Sequence, residues 1–212
     1  MIHLTRIIAF VIPSLLIMAS PLVQADEVLS PNALDGVRIV ALVDNGFHPE
    51  ETSQPIAYWE ALGATVIIAG PEKGVVKAAY GPQELTIAMT PDALSPADYD
   101  AVFIPGGTAP AKLRQHEAVL ALVRTAVEEG KLVAAICHGP QVLITAGVLD
   151  GREATCVVVE ARDYFAVKQE LEEAGAIYRN EPVVIDGAII TSRLPSDVPV
   201  FQRAVAQALA DK

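Results

Sequence analysis

Four short, almost unbroken apolar runs narrow the folds open to this chain more than any other feature. They are VRIVALV (37–43), TVIIA (65–69), DAVFI (100–104) and KLVAAIC (131–137). A strand with one wet face alternates apolar and polar residues, so a continuous apolar run of this length reads as a strand covered on both faces. Amphipathic helical stretches separate the runs. One is expected over 52–62, closed by Gly63, and another over 117–129, with Val119, Leu120, Val123 and Val127 on one face and Gly130 at its end. Buried strands alternating with helices predict an α/β domain: a mostly parallel sheet with helices on both faces.

The remaining segments fit that plan. The stretch 74–89 alternates around Gly81-Pro82 and reads as a hairpin excursion. GPQVLITAG predicts a short helix after the fourth run, EATCVVV a further strand, and 164–174 a helix closed by Gly175. Asp186-Gly187 between two β-branched runs predicts a hairpin. A closing helix is expected over 197–210, with Asp197 near its positive end. No internal repeat, low-complexity segment or second domain is visible.

The N-terminus reads differently. Residues 1–6 carry one formal positive charge and no acid, 7–19 are almost wholly apolar, and LVQAD follows. This is the layout of a secretory signal, with cleavage expected after Ala25 and a single domain over 26–212. The competing reading is a membrane anchor, against which stand the shortness of the run and Pro13 inside it. Export, to a periplasm, is the expected localisation. Cleavage removes Arg6 and no acid from a chain whose net charge is already −11. No basic stripe is left to neutralise phosphates, so neither a nucleic acid nor, after cleavage, an anionic membrane is an expected partner.

In parallel sheets ligands gather beyond the carboxyl ends of the strands. Three stretches fall there: NGFHPEE (45–51), PGG (105–107) and CHGP (137–140). In AAICHGPQV (134–142) a buried strand turns sharply into a helix. Gly139 permits a close turn, and Pro140 suits a first helical position. Cys137 at this hinge is expected to be a nucleophile, with its pKa lowered by the free amides of the following helix. The alternative is an inert core cysteine. Gly106, Gly107 and the His138 N–H are candidates for an oxyanion pocket. The second cysteine, Cys156, reads as a buried strand residue, although a Cys137–Cys156 disulfide would silence any thiol chemistry.

AAICHGPQVLITAGVLDGREAT, DAVFIPGGTAP and VVIDGAIITSRLPSDVPVF resemble the ThiJ/PfpI superfamily, most closely its PfpI branch, over residues 37–210. The resemblance implies a flavodoxin-like three-layer sandwich related to class I glutamine amidotransferases. It also implies homodimers or higher oligomers, and a reactive Cys137 with His138 beside it. Activities in the superfamily include cysteine peptidase, glutathione-independent glyoxalase, protein deglycase and stress chaperone. The glutamate that members place against the cysteine matches Glu51. Its expected role is a carboxyl of raised pKa that exchanges a proton with the sulfur; the alternative is a solvated acid in a first helical turn.

The chain departs from the pattern at two acids. One position holds His48, read either as a proton shuttle or weak metal ligand with Cys137 and Glu51, or as a helix-start histidine meeting solvent, the latter preferred. The other holds Ala111, which cannot accept the hydrogen bond that orients the histidine in a peptidase triad. Tyr164 matches a position that members fill with a pocket tyrosine or histidine; the alternative is a partly buried aromatic on a helix. Taken together, the implied function is a cysteine-dependent enzyme for small reactive carbonyls, free or on a modified protein, needing neither cofactor nor metal. A peptidase or amidase, and a non-catalytic redox sensor or chaperone, are the alternatives.

Overall fold

The computed structural model describes residues 29–158 and 166–212. The expected signal segment (1–25) and Tyr164 lie outside the described residues. The elements run β1 (Arg38–Leu42), α1 (Pro49–Ala61), β2 (Thr65–Ala69), β3 (Gly74–Lys77), β4 (Glu84–Ile87), β5 (Ala101–Ile104), α2 (Ala109–Leu113), α3 (Glu117–Glu128), β6 (Leu132–Ile136) and α4 (Pro140–Ala146). After α4 come β7 (Glu153–Ala154), α5 (Ala166–Glu173), β8 (Ile177–Tyr178), β9 (Val183–Asp186), β10 (Ile189–Ser192) and α6 (Val198–Ala210). The main sheet has six strands in the order β2-β1-β5-β6-β10-β9. All its pairings are parallel except the β9–β10 hairpin, which forms where its sequence predicts, with Asp186 paired to Ile189 and the turn at Gly187-Ala188.

The four apolar runs become β1, β2, β5 and β6. Every residue of β5 and β6 is buried, which is why neither run shows alternation. Helices α1 and α6 pack together, while α4 packs against α2, α3 and α5. The sheet is thus covered on both faces, as expected. Trp59 of α1, Phe103 of β5 and Phe201 of α6 stack through one side of the core, Trp59 meeting Phe103 edge-on at 4.9 Å. The Trp59 indole N–H donates to Gln202 O at 2.9 Å, so the ring is buried without an orphaned donor.

Helix α1 starts at Pro49, in keeping with the helix-start reading of His48, which is its N-cap; proline occupies the first turn at no hydrogen-bond cost. One local expectation is corrected. EATCVVV pairs as a strand only at Glu153–Ala154. Its continuation stays buried by other bonds: Thr155 N–H donates to Thr191 Oγ1 and Val157 N–H to Cys137 O. Cys156 is therefore buried, as expected, but not in a strand. The helix expected over 164–174 is described from Ala166 to Glu173.

Candidate active site

Cys137 follows the last residue of β6, and its φ is +64°, the single positive φ of a non-glycine residue among the described residues. A left-handed turn costs an L-residue about 1–2 kcal/mol, so neighbouring structure must impose it. It does: Cys137 N–H donates to Ser192 O at 3.0 Å, and Cys137 O accepts from Val157 N–H at 3.0 Å. Gly139 is required because a Cβ there would run into the Ile104 and Ile136 carbonyl oxygens. The turn lifts the sulfur off the end of β6 but not into open water, for Cys137 is only 6% exposed.

Glu51 reaches the same place from α1. Backbone bonds dock the loop after β1: His48 N–H donates to Gly106 O at 3.0 Å, and Thr108 N–H donates to Gly46 O at 2.8 Å. Glu51 is fully buried, an unusual state for a carboxyl. A Cβ on Gly106 would overlap Glu51 Oε2 and the Cys137 Cβ and crowd Cys137 Sγ, so Gly106 is the gap across which acid and thiol meet. Neither carboxyl oxygen has a hydrogen bond of standard geometry among the described residues. The Cys137 thiol and the Gly106 N–H are its nearest stabilising dipoles.

Burial dominates the titration of both groups. It pushes Glu51 up to about 7, against the opposing pull of the Cys137 thiol and the Gly106 N–H. It also pushes the Cys137 thiol well above the usual cysteine range; the Glu51 charge adds to this, while the Gly107 and His138 N–H groups pull the other way. The expected low-pKa thiolate is therefore corrected. Helix-end amides contribute about 0.3–1 kcal/mol, whereas full burial moves a pKa by up to about 3–5 units. Two groups so close titrate as a pair, and its first proton leaves near neutrality, where Glu51 ionises.

The other candidates fall as follows. Gly107 and His138 turn their N–H groups toward the sulfur, whereas the Gly106 N–H faces Glu51. His138 Nδ1 lies 3.2 Å from Cys137 Sγ, and burial lowers its pKa, with the His48 charge adding to the effect. His48 is half-buried and accepts the Glu51 N–H at Nδ1 (3.3 Å), so it is engaged in the site rather than simply solvated. Among the described residues no set of three or more His, Cys, Asp or Glu is arranged to hold a metal. Both cysteines are free thiols. Ala111 is an exposed residue of α2.

Tyr80 was missed from sequence. Its hydroxyl lies 3.0 Å from His48 Nε2 and donates to Glu50 Oε2 at 3.1 Å. The charges of Glu51 and Cys137 also act on it, which places it beside the pair. Its only signal was a tyrosine immediately before the Gly-Pro turn of the hairpin excursion.

Fold and site together define a flavodoxin-like α/β protein with a cysteine at the strand-to-helix hinge and a buried glutamate against it. Residues 37–208 match the model of the DJ-1/PfpI family, and the chain belongs to that family. It is 35% identical over 173 residues to deglycase PfpI of Pyrococcus furiosus, covering 82% of this chain and 99% of that one. It is also 35% identical over 170 residues to general stress protein 18 of Bacillus subtilis, covering 79% and 95%. A crystal structure from Anabaena variabilis, a two-domain protein with DJ-1/ThiJ/PfpI-like and ferritin-like domains, superposes with a TM-score of 0.77 at 34% identity. That match covers 82% of this chain and 48% of the other, so the chain spans about half of the two-domain protein.

Proposed function

We propose that the chain is a stress-related, cysteine-dependent enzyme acting on small reactive carbonyls, of the glyoxalase or deglycase type. Cys137 is the nucleophile and Glu51 the proton-transfer partner. The observation that carries the reading is the buried carboxyl of Glu51 against the Cys137 sulfur across Gly106, with a pKa near neutrality. The similarity to a protein named a deglycase supports it.

The chemistry follows from where the proton sits. Ionised Glu51 takes the thiol proton as sulfur adds to the aldehyde carbon of a dicarbonyl. An S–C bond forms, the C=O π bond breaks, and the proton passes to the new alkoxide to give a hemithioacetal. The Gly107 and His138 N–H groups, which face the sulfur, favour its anionic form during the transfer. Glu51 then takes the former aldehyde C–H proton, giving an enediol, and returns it to the neighbouring carbon, while the hemithioacetal hydroxyl proton passes to the ketone oxygen; the product is a 2-hydroxy thioester. Water hydrolyses the thioester to a hydroxy acid and restores the thiol. Methylglyoxal plus water thus gives lactate with no external oxidant or reductant.

A peptidase reading gains no support from Ala111, whose methyl group cannot orient a histidine. We also propose export to a periplasm after cleavage behind Ala25, and a homodimer or higher oligomer, on the sequence features given above. The test of function is glutathione-free turnover of methylglyoxal by the purified protein. Lactate should form with wild type and disappear with Cys137→Ala. No turnover, or turnover unaffected by that substitution, rejects the proposal.

A further inference from the structure

Hairpin β3–β4 lies outside the main sheet, yet it is stitched to the loop that carries the site. Gly46 N–H donates to Lys77 O at 2.8 Å, Ala79 N–H to Phe47 O at 2.9 Å, and Lys77 N–H to Asn45 Oδ1 at 3.0 Å. At the hairpin turn Tyr80 is 51% exposed, but its hydroxyl is held by two partners, Glu50 and His48. Its ring also meets the His48 ring edge-on at 5.3 Å.

Donor accounting fixes the direction of this chain. His48 Nδ1 accepts the Glu51 N–H, so Nδ1 carries no proton. Tyr80 has one hydroxyl proton and gives it to Glu50. His48 Nε2 must therefore carry its proton and donate to Tyr80 Oη. The order is Glu51 N–H to His48, His48 to Tyr80, and Tyr80 to Glu50. A carboxylate at the surface ends a chain that begins on the backbone of the buried acid.

We propose that Tyr80 and His48 are positioning residues: they lock the imidazole in one neutral tautomer, pin the first turn of α1, and so hold the Glu51 carboxyl against Cys137. This explains why a histidine stands at the N-cap, where Ser, Thr, Asp or Asn is usual. The imidazole carries its acceptor and its donor on separate ring nitrogens, so it takes the cap bond at Nδ1 and still reaches Tyr80 Oη from Nε2. The proposal rests on Cys137 and Glu51 being the reacting pair.

The charged and titratable groups that act on or contact His48 are Glu50 and Glu51 from α1, Tyr80 from the hairpin, and His138 from the hinge. Protonating His48 would set a second donor against the Glu51 N–H and break the cap. Burial opposes this by lowering the His48 pKa, with Glu50 acting in the other direction.

Two measurements test the proposal without any turnover. In wild type, nitrogen NMR should show His48 protonated at Nε2 and bare at Nδ1. The alkylation rate of Cys137 against pH should show an inflection near 7 from Glu51. Tyr80→Phe, a surface change that keeps the ring, should mix the His48 tautomers. It should also move the inflection toward the ordinary carboxylate range by at least about half a unit, roughly threefold in proton affinity. In a His48→Asn background, which keeps a cap acceptor, Tyr80→Phe should move it no further. A missing wild-type inflection overturns the reacting pair and this proposal with it. An inflection near 7 that ignores Tyr80→Phe overturns the positioning role alone.

Discussion

Glu51→Gln isolates the energetic cost of burying an acid beside the sulfur. Folding moves this carboxyl from the ordinary value near 4.5 to about 7, chiefly by removing it from water. Each pH unit of such a change is worth about 1.4 kcal/mol, so the whole displacement amounts to roughly 3 kcal/mol. The sign follows from proton counting. Between the two values the folded chain binds more protons at this site than the unfolded one. Glu51 therefore costs nothing below about pH 4.5, destabilises increasingly as pH rises through 7, and levels off above. The substituted glutamine has nearly the same shape and no charge to lose. Urea unfolding of both proteins from about pH 4.5 to about pH 8 should give a stability difference that grows by about 3 kcal/mol in favour of the variant. The window stops there because at higher pH the Cys137 thiol, whose pKa is also raised, adds a loss of the same sign. Parallel stability curves would refute the claim that Glu51 is a desolvated acid in the folded protein.

The same geometry sets two packing outcomes. Gly139→Ala should lower stability by about 1–3 kcal/mol in denaturant unfolding, because its Cβ meets two backbone carbonyls that cannot rotate away; an unchanged midpoint would show that the hinge has room to relax. Phe103→Ala removes the ring shared by Trp59 and Phe201 and should cost about 3–5 kcal/mol by the same assay, while the NMR signature of the His48 tautomer at the start of α1 stays unchanged. A loss below about 1 kcal/mol would show that the surrounding core closes over the vacated space.

The parts of the fold legible in advance were those fixed by local pattern. Apolar runs announced β1, β2, β5 and β6 because doubly covered strands have no polar face. Asp186-Gly187 announced the β9–β10 hairpin because a tight hairpin turn needs a residue tolerant of positive φ. EATCVVV misled for the converse reason: an apolar run reports burial, not pairing, and Thr155 to Val157 are buried without belonging to a strand.

At the site, the residues themselves pointed to a cysteine at a strand-to-helix hinge and to paired glycines near it, which are local matters of turn chemistry and order along the chain. Glu51 was singled out by the resemblance to the ThiJ/PfpI superfamily. Tertiary structure alone decided how acidic the participants are and who holds them in place. The thiol was expected to ionise readily because its neighbours in sequence are free amides. Folding instead closes the hinge against α1 and the segment after β7, and the loss of water outweighs those amides. Tyr80 entered the site by the same route, carried there by a hairpin whose backbone bonds to the β1–α1 loop span some thirty residues of chain. Desolvation and long-range docking depend on what surrounds a group in space, and no reading of neighbours along the chain supplies that.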